Sequence, residues 1–454
     1  MIKIYNTLTS KVEKLVPINQ KRLNFFVCGP TVYGLAHIGN GKTFTQFDMI
    51  VKYLRYRDFD VFYLQNITDI DDKIIKKSQE DGISWKEVSD LYTREFSQDM
   101  SSLGNNAVTQ YARATDYISQ VVDQVKRLEE KGVAYRTSDG IYYEVSKFKN
   151  YGQLSGRTTV QATDGVSRID SSSEKKGWND FCLWKFSKEG EPSWETALGS
   201  GRPGWHIEDT AITEHHFGPQ YDIHGGAIDL KMPHHEAEIA QMEMVSGKSP
   251  LARYWMHTGF LNTNNEKMSK SLGNFRTIRD VLRSYGFRTL RLMYLSAHYR
   301  SPLEFSEAVL EQNKNTLQRL DEFVFKINPD LIDEEEMKAV NQLREAVKIA
   351  MDNDFNAPIA LAHIFKFITV ANTKGMSGKA VYDYLQEINR FFGFFEFNKN
   401  GNPEVESLIE KRNVFRKTKD WEKADEVKQE LLKMGIKLHD EKDGKTTWRK
   451  SEDC

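Results

Sequence analysis

The stretch Leu23-Asn-Phe-Phe-Val-Cys28-Gly-Pro-Thr-Val-Tyr-Gly-Leu-Ala-His37-Ile-Gly-Asn40 decides the fold. Its first six residues form an apolar run broken by Gly29-Pro30, which reads as a buried strand entering a turn. From Gly41 to Arg57, Phe44, Phe47, Met49, Ile50, Tyr53 and Leu54 recur at helical spacing. Phe59 to Ile67 is strand-like again, rich in aromatic and β-branched residues. Strand, glycine-containing turn, helix and strand make a βαβ unit. The class is therefore α/β, with a parallel sheet covered by helices on both faces.

Residues 114–131 read as an amphipathic helix stopped at Lys131-Gly132. Residues 139–180 hold a strand signal from Ile141 to Val145 and then a Ser/Thr/Gly/Asp-rich stretch, the pattern of an insertion. Sheet character returns at Tyr221-Asp-Ile-His224, and a helical run follows over 233–246. From about residue 277 the pattern is helical almost throughout, with junctions at Asn328-Pro329-Asp330 and Gly401-Asn402-Pro403.

Bulk composition bounds the function. The length of 454 residues suggests roughly three domains. Hydrophobic content of 39% is ordinary for a soluble protein, and no stretch approaches the roughly 18–20 apolar residues of a membrane span. The opening Met1-Ile-Lys-Ile-Tyr-Asn6 has no apolar leader core, so a secretory signal is not expected. Cys28, Cys182 and Cys454 are too few and too scattered for a disulfide framework and fit a reducing cytoplasm. A net charge of −2 announces no nucleic-acid partner, so any basic surface must be local.

Two segments suit phosphate. Gly29, Gly34 and Gly39 lie in a turn between strand and helix, where backbone can approach a ligand closely. The helix start offers free N–H groups and a positive dipole end, and His37 adds a donor there. Farther on, Glu266-Lys-Met-Ser-Lys-Ser-Leu-Gly-Asn274 places Lys267 and Lys270 in a small-residue loop able to close over transferring phosphates. A plain Gly-rich turn and a solvated Lys/Ser loop are the bland alternatives for each alone. As a pair, they resemble the His-Ile-Gly-His and Lys-Met-Ser-Lys-Ser motifs of class I aminoacyl-tRNA synthetases. That resemblance implies a Rossmann core holding ATP with Mg2+, and an amino-acid carboxylate attacking the α-phosphate. Asn40 stands in place of the second histidine, a variant usual in the cysteine-specific branch.

A second constellation joins Cys28, Asp209, His234 and Glu238. The i,i+4 spacing puts His234 and Glu238 on one helix face behind Pro233. Thiolate, imidazole and carboxylate can bind zinc, and an exchangeable position would admit a substrate thiolate in preference to a hydroxyl. A buried apolar cysteine and a solvated helix face are the alternatives.

The segments Phe26-Val-Cys-Gly-Pro-Thr-Val-Tyr33, Gly201-Arg-Pro-Gly-Trp-His206, Asp222-Ile-His-Gly-Gly226, Pro233-His-His-Glu236 and Leu408-Ile-Glu-Lys-Arg-Asn413 resemble cysteinyl-tRNA synthetases over nearly the whole chain. The resemblance implies activation of L-cysteine and its transfer to tRNA(Cys). It implies Cys28, His234 and Glu238 as ligands of one Zn2+. Trp205 and His224 would lie beside the substrate, and Gly29, Thr31 and Thr68 near its amino and carboxylate groups. His37, Gly39, Asn40, Asp229 and Lys270 would handle ATP. A monomer is the family norm. One position departs: the family's usual cysteine after Trp-His-Ile-Glu is Asp209, a harder donor of the same charge. Asp209 is either a ligand or a partner that orients His234. Cys182 is a poor substitute by pattern and reads as a packed strand residue.

The resemblance also partitions the chain. Segments 1–113 and 201–262 are the two halves of the Rossmann catalytic domain, and 114–200 is the connective insertion. Segment 263–330 carries the lysine loop and stem-contact helices, 331–400 a helical anticodon-binding bundle, and 401–454 a small C-terminal anticodon-recognition unit. In that unit Lys411, Arg412, Arg416, Lys417 and Lys419 offer phosphate contacts. Trp421 and Trp448 either stack on bases or, as burial statistics favour, belong to the core. A cysteine ligase with an amino-sugar acceptor lacks such C-terminal regions. A non-catalytic binding paralogue does not need His37, Lys267 and Lys270.

Overall fold

The strand Leu23–Val27, the helix Ile38–Tyr56 and the strand Val61–Ile67 form the expected βαβ unit. They are seen in a computed structural model that describes the chain except residues 21, 157–171, 264–265, 268–274, 398–402, 419, 441–445 and 451–454. Five parallel strands make the central sheet, in the order Ala252–Thr258, Tyr221–Ala227, Leu23–Val27, Val61–Ile67, Gln110–Arg113. The chain leaves Leu23–Val27 to one side first and later returns to its other side. That reversal is a topological switch point, where open α/β sheets form a crevice at the carboxyl ends of their strands.

Alternation along the strands feeds two cores. Phe25 and Val27 enter the one shared with Ile38–Tyr56, whereas Phe26 and Cys28 enter the other. The second face is covered by Ile118–Glu130, Ile207–Phe217 and His234–Ser246, which pack on one another. Both faces are thus buried, which explains why the central strands read as apolar runs.

The insertion carries an antiparallel sheet of Ala134–Arg136, Gly140–Tyr143, Phe181–Phe186 and Gly201–Pro203. Cys182 is buried in it, as expected of a packed strand residue. Because Gly201–Pro203 pairs with Phe181–Phe186, this sheet runs past the expected boundary at 200. At its other end, Ile118–Glu130 packs on the core helices Ile207–Phe217 and His234–Ser246 and also touches the inserted strand Ala134–Arg136.

Between residue 277 and the C-terminal unit the described chain is mainly helical, with two exceptions. Leu303–Phe305 pairs in parallel with Leu261–Thr263, a strand too short to show periodicity. Ile278–Leu295 is interrupted at Gly286, whose φ of 71° only glycine adopts readily. Asn328-Pro329-Asp330 lies between the helices Glu307–Val324 and Glu334–Asp352. The bundle Glu334–Asp352, Ala357–Lys374 and Lys379–Phe392 shares one continuous core with the first face of the sheet.

The C-terminal unit pairs the helices Pro403–Lys417 and Trp421–Lys433 with a hairpin of Ile436–Asp440 and Thr446–Lys450. Trp448 packs on its small core, but Trp421 is 58% exposed and so is not the core residue that base rates favour. Arg412 is buried and therefore cannot reach a phosphate, while Lys411 is exposed. Lys419, the second junction's Gly401-Asn402 and the side chain of Lys417 lie outside the described residues. Among the described residues no helix is long and apolar enough to cross a membrane.

Arg291 is the polar pin between sheet and bundle. It is fully buried, with Nη2 donating to Asp48 Oδ2 at 2.6 Å and to the Phe391 carbonyl at 3.3 Å, and Nη1 donating to Asn105 Oδ1 at 3.0 Å. Removing one partner of a buried pair leaves an uncompensated charge, at a cost of about 3–5 kcal/mol. Arg291→Ala is expected to lose stability on that scale in urea denaturation, and a loss under about 1 kcal/mol would remove Arg291 from this role.

Candidate active site

The carboxyl ends of the sheet strands and the turn after Leu23–Val27 border one cavity, on whose wall lie Cys28, Gly29, Thr31, Thr68, Asp229 and Gly259. The same wall includes His37, Gly39 and Asn40 from the helix start, and Trp205, Asp209 and His234 from the second half of the domain. The sequence-derived residues for phosphate, amino acid and metal therefore converge on one space, apart from Glu238, which does not line the cavity, and those noted below.

At the helix start, His37 caps Ile38–Tyr56. The Asn40 backbone N–H donates to His37 Nδ1 at 3.2 Å, and the His37 N–H donates to Asn40 Oδ1 at 3.3 Å. This reciprocal pair is a capping box, with histidine and asparagine in place of the usual residues. It fixes the His37 ring over Gly39, where a Cβ would sit 2.8 Å from Nδ1. The Ile38 N–H donates to Arg276 O at 3.1 Å and the Ile278 N–H to Ala36 O at 3.0 Å. The helix start is thus tied to the segment that follows the lysine loop. Lys270 and the side chain of Lys267 lie outside the described residues. The backbone of Lys267 pairs with Asn262.

The turn at Gly29 is held by close approach. A Cβ there would lie 1.7 Å from the Asn66 carbonyl oxygen, and the Gly29 N–H donates to Asn66 Oδ1 at 2.5 Å. Parallel bridging of Thr31 with Thr68 continues the contact beyond the strands. The Thr68 hydroxyl donates to the buried carboxyl of Glu208.

Beyond the turn is a buried cluster. His234 Nε2 lies 3.1 Å from Asp209 Oδ2 and 3.2 Å from Glu238 Oε1. Cys28 Sγ lies 3.8 Å from Glu238 Oε1. Asp209 Oδ1 accepts from Asn66 Nδ2 at 2.5 Å. Asp209 therefore meets the same imidazole nitrogen that faces Glu238. An orienting partner would sit at Nδ1, and that atom instead faces His206 Nδ1 at 2.8 Å. Trp205 stacks on His234 with ring centroids 4.6 Å apart and planes 22° from parallel.

Cys28, Asp209, His234 and Glu238 present donor atoms all within 4.8 Å of one another. Burial first, then the neighbouring Glu238 and Asp209, push the Cys28 thiol well above its ordinary range. Burial and Asp209 push the Glu238 carboxyl up. Glu238 Oε2 is buried without a hydrogen-bond partner. Converging acids, an imidazole and an unsatisfied oxygen fit a divalent cation, which would let the acids ionise.

His224, expected beside the substrate, is fully buried behind Cys28 and is not on the cavity wall. Its Nε2 is 3.3 Å from Cys28 Sγ, and its ring stacks on Trp255 at 4.1 Å. Sequence reading missed His235, whose Nε2 is 3.2 Å from the same sulfur, and Asn66, which fastens both Gly29 and Asp209. The doubled histidine in Pro233-His-His-Glu236 was the available sign for His235; Asn66 has none.

The description "tRNA synthetases class I (C) catalytic domain" matches residues 14–315. "Cysteinyl-tRNA ligase anticodon binding domain" matches 401–449, and "DALR domain" matches 346–396. Cysteine–tRNA ligase of Thermoplasma acidophilum is 43% identical, covering 98% of this chain and 100% of that one. The chain belongs to the cysteinyl-tRNA ligase family. The Cysteine–tRNA ligase of Clostridioides difficile is likewise 41% identical, over 99% of this chain and 100% of its own. Solved structures show the shared fold. Mycobacterium tuberculosis methionyl-tRNA synthetase with methionyl-adenylate gives a TM-score of 0.58 at 15% identity, covering 82% of this chain and 88% of that one. Agrobacterium radiobacter LeuRS in a ternary complex gives 0.61 at 11% identity, covering 83% of each chain.

Within this ligase, Gly29 allows no side chain. Gly29→Ala is expected to part the strand ends and displace Cys28 and Thr31, and misplacement of about 1 Å can cost about 100-fold in turnover. Steady-state ligation should fall at least about tenfold while the protein remains folded by circular dichroism. Full activity would show that the turn tolerates a Cβ.

Proposed function

We propose that the chain activates L-cysteine with ATP·Mg2+ to cysteinyl-adenylate and pyrophosphate, passes the cysteinyl group to tRNA(Cys), and selects cysteine through a zinc–thiolate contact. One observation carries this reading. The Cys28, Asp209, His234 and Glu238 cluster opens on the same cavity as the capped helix start bearing His37.

Zinc would be held by Cys28, Asp209, His234 and Glu238. When bound, it supplies a Lewis-acidic position that prefers a thiolate to a hydroxyl or methyl group. Three anionic ligands and one neutral imidazole leave the centre with formal charge −1, unchanged from a set with cysteine at 209. The chain's own residues do the rest. Trp205, stacked on His234, walls the side-chain pocket. Gly29, Thr31 and Thr68 bind the amino and carboxylate groups where the strand ends meet. His37, Gly39, Asn40 and Asp229 hold ATP at the helix start, whose N–H groups and dipole favour phosphate. Lys267 and Lys270 neutralise charge developing on the departing pyrophosphate. The DALR and C-terminal matches support tRNA as the acceptor.

Cysteine-dependent ATP–pyrophosphate exchange tests activation, and charging of tRNA(Cys) tests transfer. Absence of exchange with cysteine would sink the reading. His234→Ala is expected to weaken cysteine binding at least about tenfold, because the metal position that meets the substrate thiolate loses a ligand; metal analysis finding no zinc in the wild-type protein would refute the metal part. Lys270→Ala should slow exchange by about 100–1000-fold with cysteine affinity nearly unchanged, since it acts on transition-state charge. An unchanged exchange rate would remove that role.

A further inference from the structure

Cys28 and Glu238 belong to two overlapping sets of four buried donors. One set adds Asp209 and His234, and the other adds His224 and His235. The first is the outer set, because Cys28, Asp209 and His234 lie on the cavity wall. The second is the inner set, because His224 and His235 are fully buried behind Cys28.

Three spacings within the inner set suit a tetrahedral cage. Zinc–nitrogen contacts near 2.0 Å and zinc–sulfur contacts near 2.3 Å require neighbouring donors to be roughly 3.3–3.6 Å apart. Cys28 Sγ lies 3.2 Å from His235 Nε2 and 3.3 Å from His224 Nε2, and His224 Nε2 lies 3.6 Å from Glu238 Oε2. Both imidazoles are braced at the far nitrogen, as metal-binding histidines are. His224 Nδ1 is 2.6 Å from the Tyr221 hydroxyl. His235 Nδ1 is 2.8 Å from His257 Nε2, and His257 Nδ1 is 2.9 Å from Thr7 Oγ1. Glu238 turns one oxygen to each set: Oε1 to His234 and the otherwise unpartnered Oε2 toward His224. The sets also differ in softness. The inner donors are one sulfur, two nitrogens and one oxygen, whereas Asp209 makes the outer set one sulfur, one nitrogen and two oxygens. Zinc favours the softer, nitrogen-rich set.

We propose that this chain holds its metal through both sets in turn. Cys28, His224, His235 and Glu238 bind it in the resting enzyme, and Asp209 and His234 replace the two inner histidines when a substrate thiolate occupies the cavity. Cys28 and Glu238 serve both sets, so the exchange swaps two ligands and never releases the metal. Only the outer set can admit a substrate, so the inner set closes the centre to solvent between turnovers. The proposal rests on the zinc reading above.

Zinc K-edge absorption fine structure on the full-length zinc-loaded protein counts sulfur and imidazole ligands. The expected counts are one sulfur and two imidazoles at rest, changing to two sulfurs and one imidazole with cysteine. Asp209→Cys strengthens the outer set and is expected to give two sulfurs and one imidazole before cysteine is added. One imidazole at rest in the wild-type protein would overturn the proposal and leave His224 and His235 as N–H donors to Cys28. Two imidazoles retained with cysteine bound would overturn it as well. Failure of the protein to bind zinc at all would instead bring down the zinc reading on which it rests.

Discussion

Three acids, Cys28, Asp209 and Glu238, converge in the interior around the imidazole of His234. Burial penalises every charge placed there, and mutual repulsion adds to the penalty, so the thiol of Cys28 and the carboxyl of Glu238 are driven toward their neutral forms. Packing alone gives no reason for such a group against a cavity wall. A bound divalent cation reverses the sign of the problem, because each acid then gains by ionising. The surrounding structure keeps these groups within ligand reach of one another.

That task falls to the carboxyl ends of the central strands. Cys28 ends the strand at which the strand order reverses, so its side chain lies where two neighbouring strands part. Asn66, near the end of the next strand, donates to Asp209 and accepts from Gly29, and so fastens the buried donor cluster to the turn at Gly29. The capped start of Ile38–Tyr56 lies on the other side of that turn. The proposed amino-acid and phosphate subsites are thereby brought together by elements of one βαβ unit. The same helix reaches the far core, where Arg291, Asp48 and the carbonyl of Phe391 join the sheet to the helical bundle. Active site and bundle therefore rest on one packed body rather than on a loose tether.

Much of this was legible in the chain itself. The strand, turn and helix around Cys28 and His37 stood out because their periodicities are long and unmixed. His234 and Glu238 were readable because a helix repeats its face every four residues. Other features depend on residues far apart in sequence. Asn66 is one asparagine in a strand, and its two partners lie 37 and 143 positions away. His224 sits on a buried strand whose neighbours alone determine that it points behind Cys28 instead of into the cavity. The strand Leu303–Phe305 is too short for any pattern, and the extension of the inserted sheet to Gly201–Pro203 depends on pairing with a distant partner. Arg412 and Trp421 reverse expectation together: the cation is buried and the indole exposed, because helix facing in the small C-terminal unit outweighs residue type.

Selection of cysteine by metal–thiolate contact is the claim on which the functional reading turns. Cobalt(II) substituted for zinc reports that contact directly, since each thiolate bound to cobalt adds a charge-transfer band in the near ultraviolet. Titration of the cobalt protein with cysteine should raise that band to a saturating value, and serine should leave it unchanged. Saturable cysteine binding with no change in the band would contradict the claim.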